Sequence, residues 1–192
     1  MRICIYCASS ALVHSVYFNA AERLATEMVR AEVEVVYGGG TIGLMGKIAD
    51  TVLTLGGQIK GVIPKFMDEV EWTHPKLTDV VFTETMSERK NKLIENVDAV
   101  VALPGGTGTL EELLETISQK RLGLFSKPIV ILNTNKFYNP LKQMLEQCVT
   151  ENFMRQKHLA LWSFANEPEE VLPIIRNTAD WDKNALQSAV VR

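Results

Sequence analysis

The 192-residue chain reads as one α/β domain built on a doubly wound parallel sheet with helices on both faces. Three observations predict this. Short apolar runs without polar alternation recur along the chain, as strands buried on both faces require. Segments with apolar residues at helical spacing separate them, the order that gives parallel strands with crossover helices. Two of the runs end in glycine-rich turns, Gly38-Gly39-Gly40 and Gly105-Gly106-Thr107-Gly108.

Residues 2–7 form the first strand, and residues 15–31 a helix with Ala21, Leu24, Ala25 and Met28 on one stripe. Val33 to Tyr37 is the second strand. Leu44, Met45, Ile48, Ala49 and Val52 mark the next helix, closed by Gly56-Gly57. Gln58 to Ile63 is a strand stopped by Pro64, and 65–78 is a charged loop. Val80 to Thr83 is a short strand, Ser87 to Asn96 a helix and Ala99 to Leu103 a strand. A helix over 109–123 and a strand over Pro128 to Leu132 follow. Tyr138 to Val149 is helical, Leu159 to Phe164 the last strand and Pro168 to Asn177 the last helix. A Rossmann-like domain thus occupies 1–178, and 179–192 is a polar, weakly patterned C-terminal tail expected to fray. Ligands of such sheets bind beyond the carboxyl ends of the strands, which gathers the glycine turns at one edge.

Composition excludes several classes. Apolar content of 46% and charged content of 22% are ordinary for a soluble globular protein. A net charge of -3 argues against a nucleic-acid partner. No apolar stretch reaches the roughly 18 residues of a membrane span. The N-terminal apolar residues read as a buried strand rather than a signal peptide, since no processing signal follows. Three cysteines, Cys4, Cys7 and Cys148, make no disulfide framework and fit a cytoplasmic location. Cys4-x-x-Cys7 reads as small apolar residues on a strand, because a redox pair sits at a helix start and zinc needs further ligands. His14, His74 and His158 lack metal-ligand spacing, so no metal is expected.

The stretch Pro104-Gly105-Gly106-Thr107-Gly108-Thr109-Leu110-Glu111-Glu112 carries the most chemistry. A strand ends in a glycine turn that opens a helix, where unpaired N–H groups and the helix dipole attract an anion. No Lys follows the glycines before the Thr, so this is not a Walker loop. Thr109-Leu110-Glu111-Glu112 also fits an S/T-x-x-E capping box, which gives Glu112 a structural reading beside a catalytic one. Arg89 stands in the first turn of a helix that starts at the same sheet edge, where cations oppose the dipole unless an anion or carboxylate faces them. Gly38-Gly39-Gly40-Thr41-Ile42-Gly43 matches G-x-G-x-x-G, but the next strand ends without the acidic residue that holds a dinucleotide ribose. A tight turn and a glycine surface against which a nucleotide lies remain as its two readings.

Together these segments resemble the Lonely Guy family of cytokinin-activating phosphoribohydrolases, once misnamed lysine decarboxylases. The family signature P-G-G-x-G-T-x-x-E stands at Pro104 to Glu112, with Arg89-Lys90 upstream. Cys7-Ala8-Ser9-Ser10, Tyr37 to Gly46 and Gly61-Val62-Ile63-Pro64 also match. Ala8, Thr107 and Ser87-Glu88 depart from the usual pattern. The resemblance implies hydrolysis of the N-glycosidic bond of a nucleoside 5'-monophosphate, a cytokinin ribotide or AMP, without a cofactor. It makes Arg89 and Glu112 the catalytic pair. It places Ser9, Gly39, Gly40, Met45, Glu71, Lys90, Gly105, Gly106, Thr107, Gly108, Thr109 and Glu111 at the substrate, and it implies a homodimer. The alternative is a non-enzymatic nucleotide-binding protein or molybdenum-cofactor carrier on a related fold.

Overall fold

The computed structural model describes residues 1–68 and 72–188. Seven parallel strands form one sheet in the order β4-β3-β2-β1-β5-β6-β7. They are β1 (Arg2–Tyr6), β2 (Glu34–Tyr37), β3 (Ile59–Pro64), β4 (Val80–Thr83), β5 (Ala99–Ala102), β6 (Ile129–Leu132) and β7 (Ser163–Ala165). The helices are α1 (Ser15–Arg30), α2 (Gly43–Thr54), α3 (Lys65–Asp68), α4 (Met86–Ile94), α5 (Thr107–Arg121), α6 (Asn139–Thr150) and α7 (Pro168–Asn177).

Successive side chains of a strand point to opposite faces, and the sheet uses both. Ile3 and Ile5 of β1 pack in a core with Leu24, Met28, Ile48 and Val171 from α1, α2 and α7. Cys4 and Tyr6 face a second core with Leu93, Leu113, Ile117 and Leu145 from α4, α5 and α6. Cys4 and Cys7 belong to opposite cores and are free thiols, as the structural reading expects.

The chain winds outward from β1 to β4, then restarts at β5 on the other side of β1. The reversal leaves a crevice at the carboxyl ends of β1 and β5. Register aligns those ends: Tyr6 pairs with Ala102, the Leu103 N–H donates to the Tyr6 carbonyl, and the Ala8 N–H to the Pro104 carbonyl.

Three expectations need correction. The segment 159–164 is not all strand: Gln156–Leu161 winds as a 3-10 turn and β7 spans Ser163–Ala165. His158 is buried, and its Nδ1 accepts the Arg155 N–H, which closes that turn. The loop after Pro64 begins with the short helix α3. The tail is docked rather than frayed as far as it is described: the Trp181 N–H donates to the Ser126 carbonyl at 2.6 Å and Ala185 is buried.

Candidate active site

A cleft of about 350 Å³ opens at the reversal point. Its floor comes from the end of β1, one wall from the turn after β2, and the other from the N-terminal turns of α4 and α5.

Helix α5 starts at Thr107, with Gly106 at its N-cap and no side-chain cap. The first helical bond there runs from the Leu110 N–H to the Gly106 carbonyl. The N–H groups of Thr107, Gly108 and Thr109 therefore lie at an uncapped helix start with no acidic residue in the first turn. A Cβ at Gly105 would collide with Thr109, so only glycine lets the turn pass so close.

The capping-box reading of Thr109 and Glu112 does not hold, because Thr109 is already inside the helix. The same T-x-x-E signature works elsewhere. Thr85 caps α4 by accepting the Glu88 N–H at 3.1 Å, and Glu88 reaches back to the Glu84 N–H at 2.9 Å. That cap fixes the first turn of α4 and aims Arg89 inward.

Arg89 is buried, with 8% of its surface exposed. Its Nε donates to the Val62 carbonyl at 3.1 Å, and its Nη1 to Glu112 Oε1 at 2.5 Å. The cation thus finds the carboxylate that its helix position calls for. A Cβ at Gly38 would collide with the guanidinium, so the first glycine of the β2 turn makes room for Arg89. Burial pushes the Glu112 carboxyl above its ordinary range, and the Arg89 charge and hydrogen bond pull the other way. Beneath them the Tyr6 hydroxyl bonds Thr116 Oγ1 at 3.0 Å.

Ser9, Gly40, Met45, Arg89, Gly106, Thr107, Gly108, Thr109, Glu111 and Glu112 all border the cleft. Gly39, Gly105 and Lys90 do not. Gly39 adopts φ +78° and shapes the β2 turn, where a side chain would be strained and would press on Ile63. Lys90 bridges to Glu111 and Glu115, both at 2.5 Å, and so ties α4 to α5. Glu71 lies outside the described residues. The sequence reading missed Met67, Trp72 and Met86, which also line the cleft. An aromatic residue in a charged loop was the available signal for Trp72.

The histidines serve local structure. His14 Nδ1 accepts the Val16 N–H at the start of α1, and His74 Nε2 lies 3.3 Å from Asp50 Oδ1. Among the described residues no three His, Cys, Asp or Glu side chains are grouped to hold a metal ion. No described helix is long and apolar enough to cross a membrane.

The sequence pattern of the family described as "possible lysine decarboxylase" matches residues 45–175. A probable cytokinin riboside 5'-monophosphate phosphoribohydrolase of Oryza sativa subsp. japonica is 42% identical over 154 residues, covering 80% of this chain and 69% of that protein. A cytokinin riboside 5'-monophosphate phosphoribohydrolase of Arabidopsis thaliana is 39% identical over 160 residues, covering 82% and 70%. Among solved structures, the molybdenum cofactor binding protein of Rippkaea orientalis superposes with a TM-score of 0.69 at 19% identity, covering 91% of this chain and 94% of that one. The molybdenum cofactor carrier protein of Chlamydomonas reinhardtii gives 0.68 at 18% identity, covering 92% and 96%. At that identity the likeness is one of fold.

Proposed function

The chain belongs to the Lonely Guy family of cytokinin riboside 5'-monophosphate phosphoribohydrolases, and on that premise we propose that it hydrolyses the N-glycosidic bond of nucleoside 5'-monophosphates, releasing free base and ribose 5-phosphate. One observation carries the reading: the buried Arg89–Glu112 pair borders the same cleft as the uncapped start of α5. A 5'-phosphate on the N–H groups of Thr107 to Thr109 sets the ribose beside Glu112.

Cleavage at C1' builds positive charge on the sugar, as in other glycoside hydrolyses. The Glu112 carboxylate stabilises that charge and takes a proton from the attacking water. The water oxygen bonds C1', and the base leaves with the electron pair of the broken bond and picks up a proton. Arg89 is engaged on Val62 and Glu112, which favours its orienting the carboxylate over its clamping phosphate. Gly106, Thr107, Gly108 and Thr109 hold the phosphate. Ser9, Gly40 and Met45 lie along the nucleotide, with Gly39 and Gly105 shaping the two turns behind it. Glu111 and Lys90 brace the wall. Glu71 completes the substrate set.

Cytokinin ribotides and AMP are the proposed substrates, handled without a cofactor. We place the enzyme in the cytoplasm, which its free thiols suit. We also propose a homodimer. Met86 of α4 and Leu114 of α5, 38% and 40% exposed, offer apolar surface on the two helices that Lys90 ties together. Light scattering at micromolar protein tests the dimer. Incubation with AMP or isopentenyladenosine monophosphate, followed by assay of base and ribose 5-phosphate, tests the activity. Release of neither base, with molybdopterin bound tightly, would favour the carrier alternative.

A further inference from the structure

Residues 72–77 form a strap against the glycine turn after β2, with Trp72 at the cleft. It has little regular structure, and one antiparallel bridge joins Thr73 to Gly40. The Thr41 N–H donates to the Trp72 carbonyl at 3.1 Å, and the His74 N–H to the Gly39 carbonyl at 2.9 Å. Trp72 therefore rides directly on the glycine turn after β2. Its half-exposed ring borders both the cleft and an adjoining recess of about 140 Å³ shared with Ile42 and Met45.

Two bonds of one side chain hold the other end of the strap. His74 is only 3% exposed. Its Nδ1 accepts the Lys76 N–H at 3.3 Å, which places the ring hydrogen on Nε2, facing Asp50 Oδ1 at 3.3 Å. Asp50 projects from α2, whose Ile48 and Ala49 are fully buried. The imidazole thus fastens the strap to a helix rooted in the core. A polar ring so deeply buried is costly unless both nitrogens are engaged.

We propose that His74 and Asp50 form a clasp that positions Trp72 for nucleotide binding. The proposal rests on the reading of the cleft as a nucleotide site. An indole face beside such a cleft offers a stacking surface for a base. Arg89 and Glu112 stand on α4 and α5, whereas Asp50 stands on α2 and His74 on the strap. Loosening the strap therefore weakens substrate binding and leaves the chemical step in place, the signature of an interaction made equally in ground and transition states.

Asp50 is largely exposed, so Asp50→Ala removes the acceptor without hollowing the core. The expected result is KM raised roughly two- to tenfold, the scale of one lost hydrogen bond, with kcat little changed. His74→Gln keeps an amide donor toward Asp50 and restores part of the loss, whereas His74→Ala does not. Asp50→Ala adds nothing further in a Trp72→Ala background, because it acts through that ring. Calorimetric binding of AMP, in a Glu112→Gln background that does not consume it, reads the same losses without turnover. An unchanged KM and Kd in Asp50→Ala, an equal fall in kcat, or additivity with Trp72→Ala overturns the clasp. Binding of AMP and isopentenyladenosine monophosphate by wild type with base released from neither would overturn the hydrolase reading alone, while the Kd series would still decide the clasp. Failure of wild type to bind either nucleotide would overturn both.

Discussion

Arg89 and Glu112, 23 positions apart, meet through a guanidinium–carboxylate bond of 2.5 Å between α4 and α5. Each explains the other. A cation in the first turn of a helix and a carboxylate buried near the start of the next are both unfavourable alone. Together they hold a buried carboxylate beside an uncapped helix N-terminus.

The proposed mechanism requires the guanidinium fork. Arg89→Lys keeps the charge but cannot donate to the Val62 carbonyl and Glu112 at once. It should lower kcat by at least about a hundredfold, the scale of a lost preorganised electrostatic group. Gly38→Ala, which drives a methyl group into the same guanidinium, should lower kcat without unfolding the protein. Steady-state kinetics with circular dichroism checks both. Near-wild-type kcat in Arg89→Lys would show that charge alone suffices.

On the proposed mechanism, Glu112 sets the acid side of the pH profile. Its carboxyl is held above its ordinary 4.5, first by burial and against Arg89, and it must be ionised to take a proton from water. Activity should fall on acidification with a midpoint above the ordinary carboxylate range. For stability the sign is opposite to that of a salt-bridged surface acid. Between 4.5 and the raised value the folded state keeps a proton the unfolded state has lost, so stability declines as pH rises through that window. Denaturant titrations of wild type and Glu112→Gln check this, and the Gln variant should lack that component of the decline.

Lys120 is 1% exposed in α5, and burial lowers its pKa to about 8. Below pH 8 the ammonium is charged in both states, and the full cost of burying it is present. From about 8 to 10.5 the folded side chain is neutral while the unfolded one is not, so stability climbs with pH. Lys120→Met should be more stable than wild type at pH 7 by about 1–2 kcal/mol, and the gap should close near pH 10. Melting curves at the two pH values check this, and a gap independent of pH would contradict it.

The alternation of buried strands and amphipathic helices made the doubly wound sheet legible, because each period maps onto one element. The glycine turn that opens α5 and a carboxylate facing Arg89 were legible too, since a cation at a helix start calls for an anion. Whether Glu112 closes a capping box was not. T-x-x-E occurs at Thr85–Glu88 and at Thr109–Glu112, and only the position of each helix start decides which one caps. The 3-10 turn before β7 escaped detection because Leu161 and Trp162 are both buried, so apolar content there does not follow a strand period. Trp72 at the cleft wall depends on a bridge between the 72–77 strap and the β2 turn, a contact that no local pattern encodes.

The most direct test of the central claim compares wild type with Glu112→Gln on AMP and isopentenyladenosine monophosphate, measuring free base and ribose 5-phosphate in the same samples. The account predicts equimolar base and ribose 5-phosphate from wild type on at least one nucleotide. It predicts loss of at least about a hundredfold in the folded Gln variant. A wild type that releases no base from either nucleotide, or a Gln variant that turns over at the wild-type rate, would contradict it.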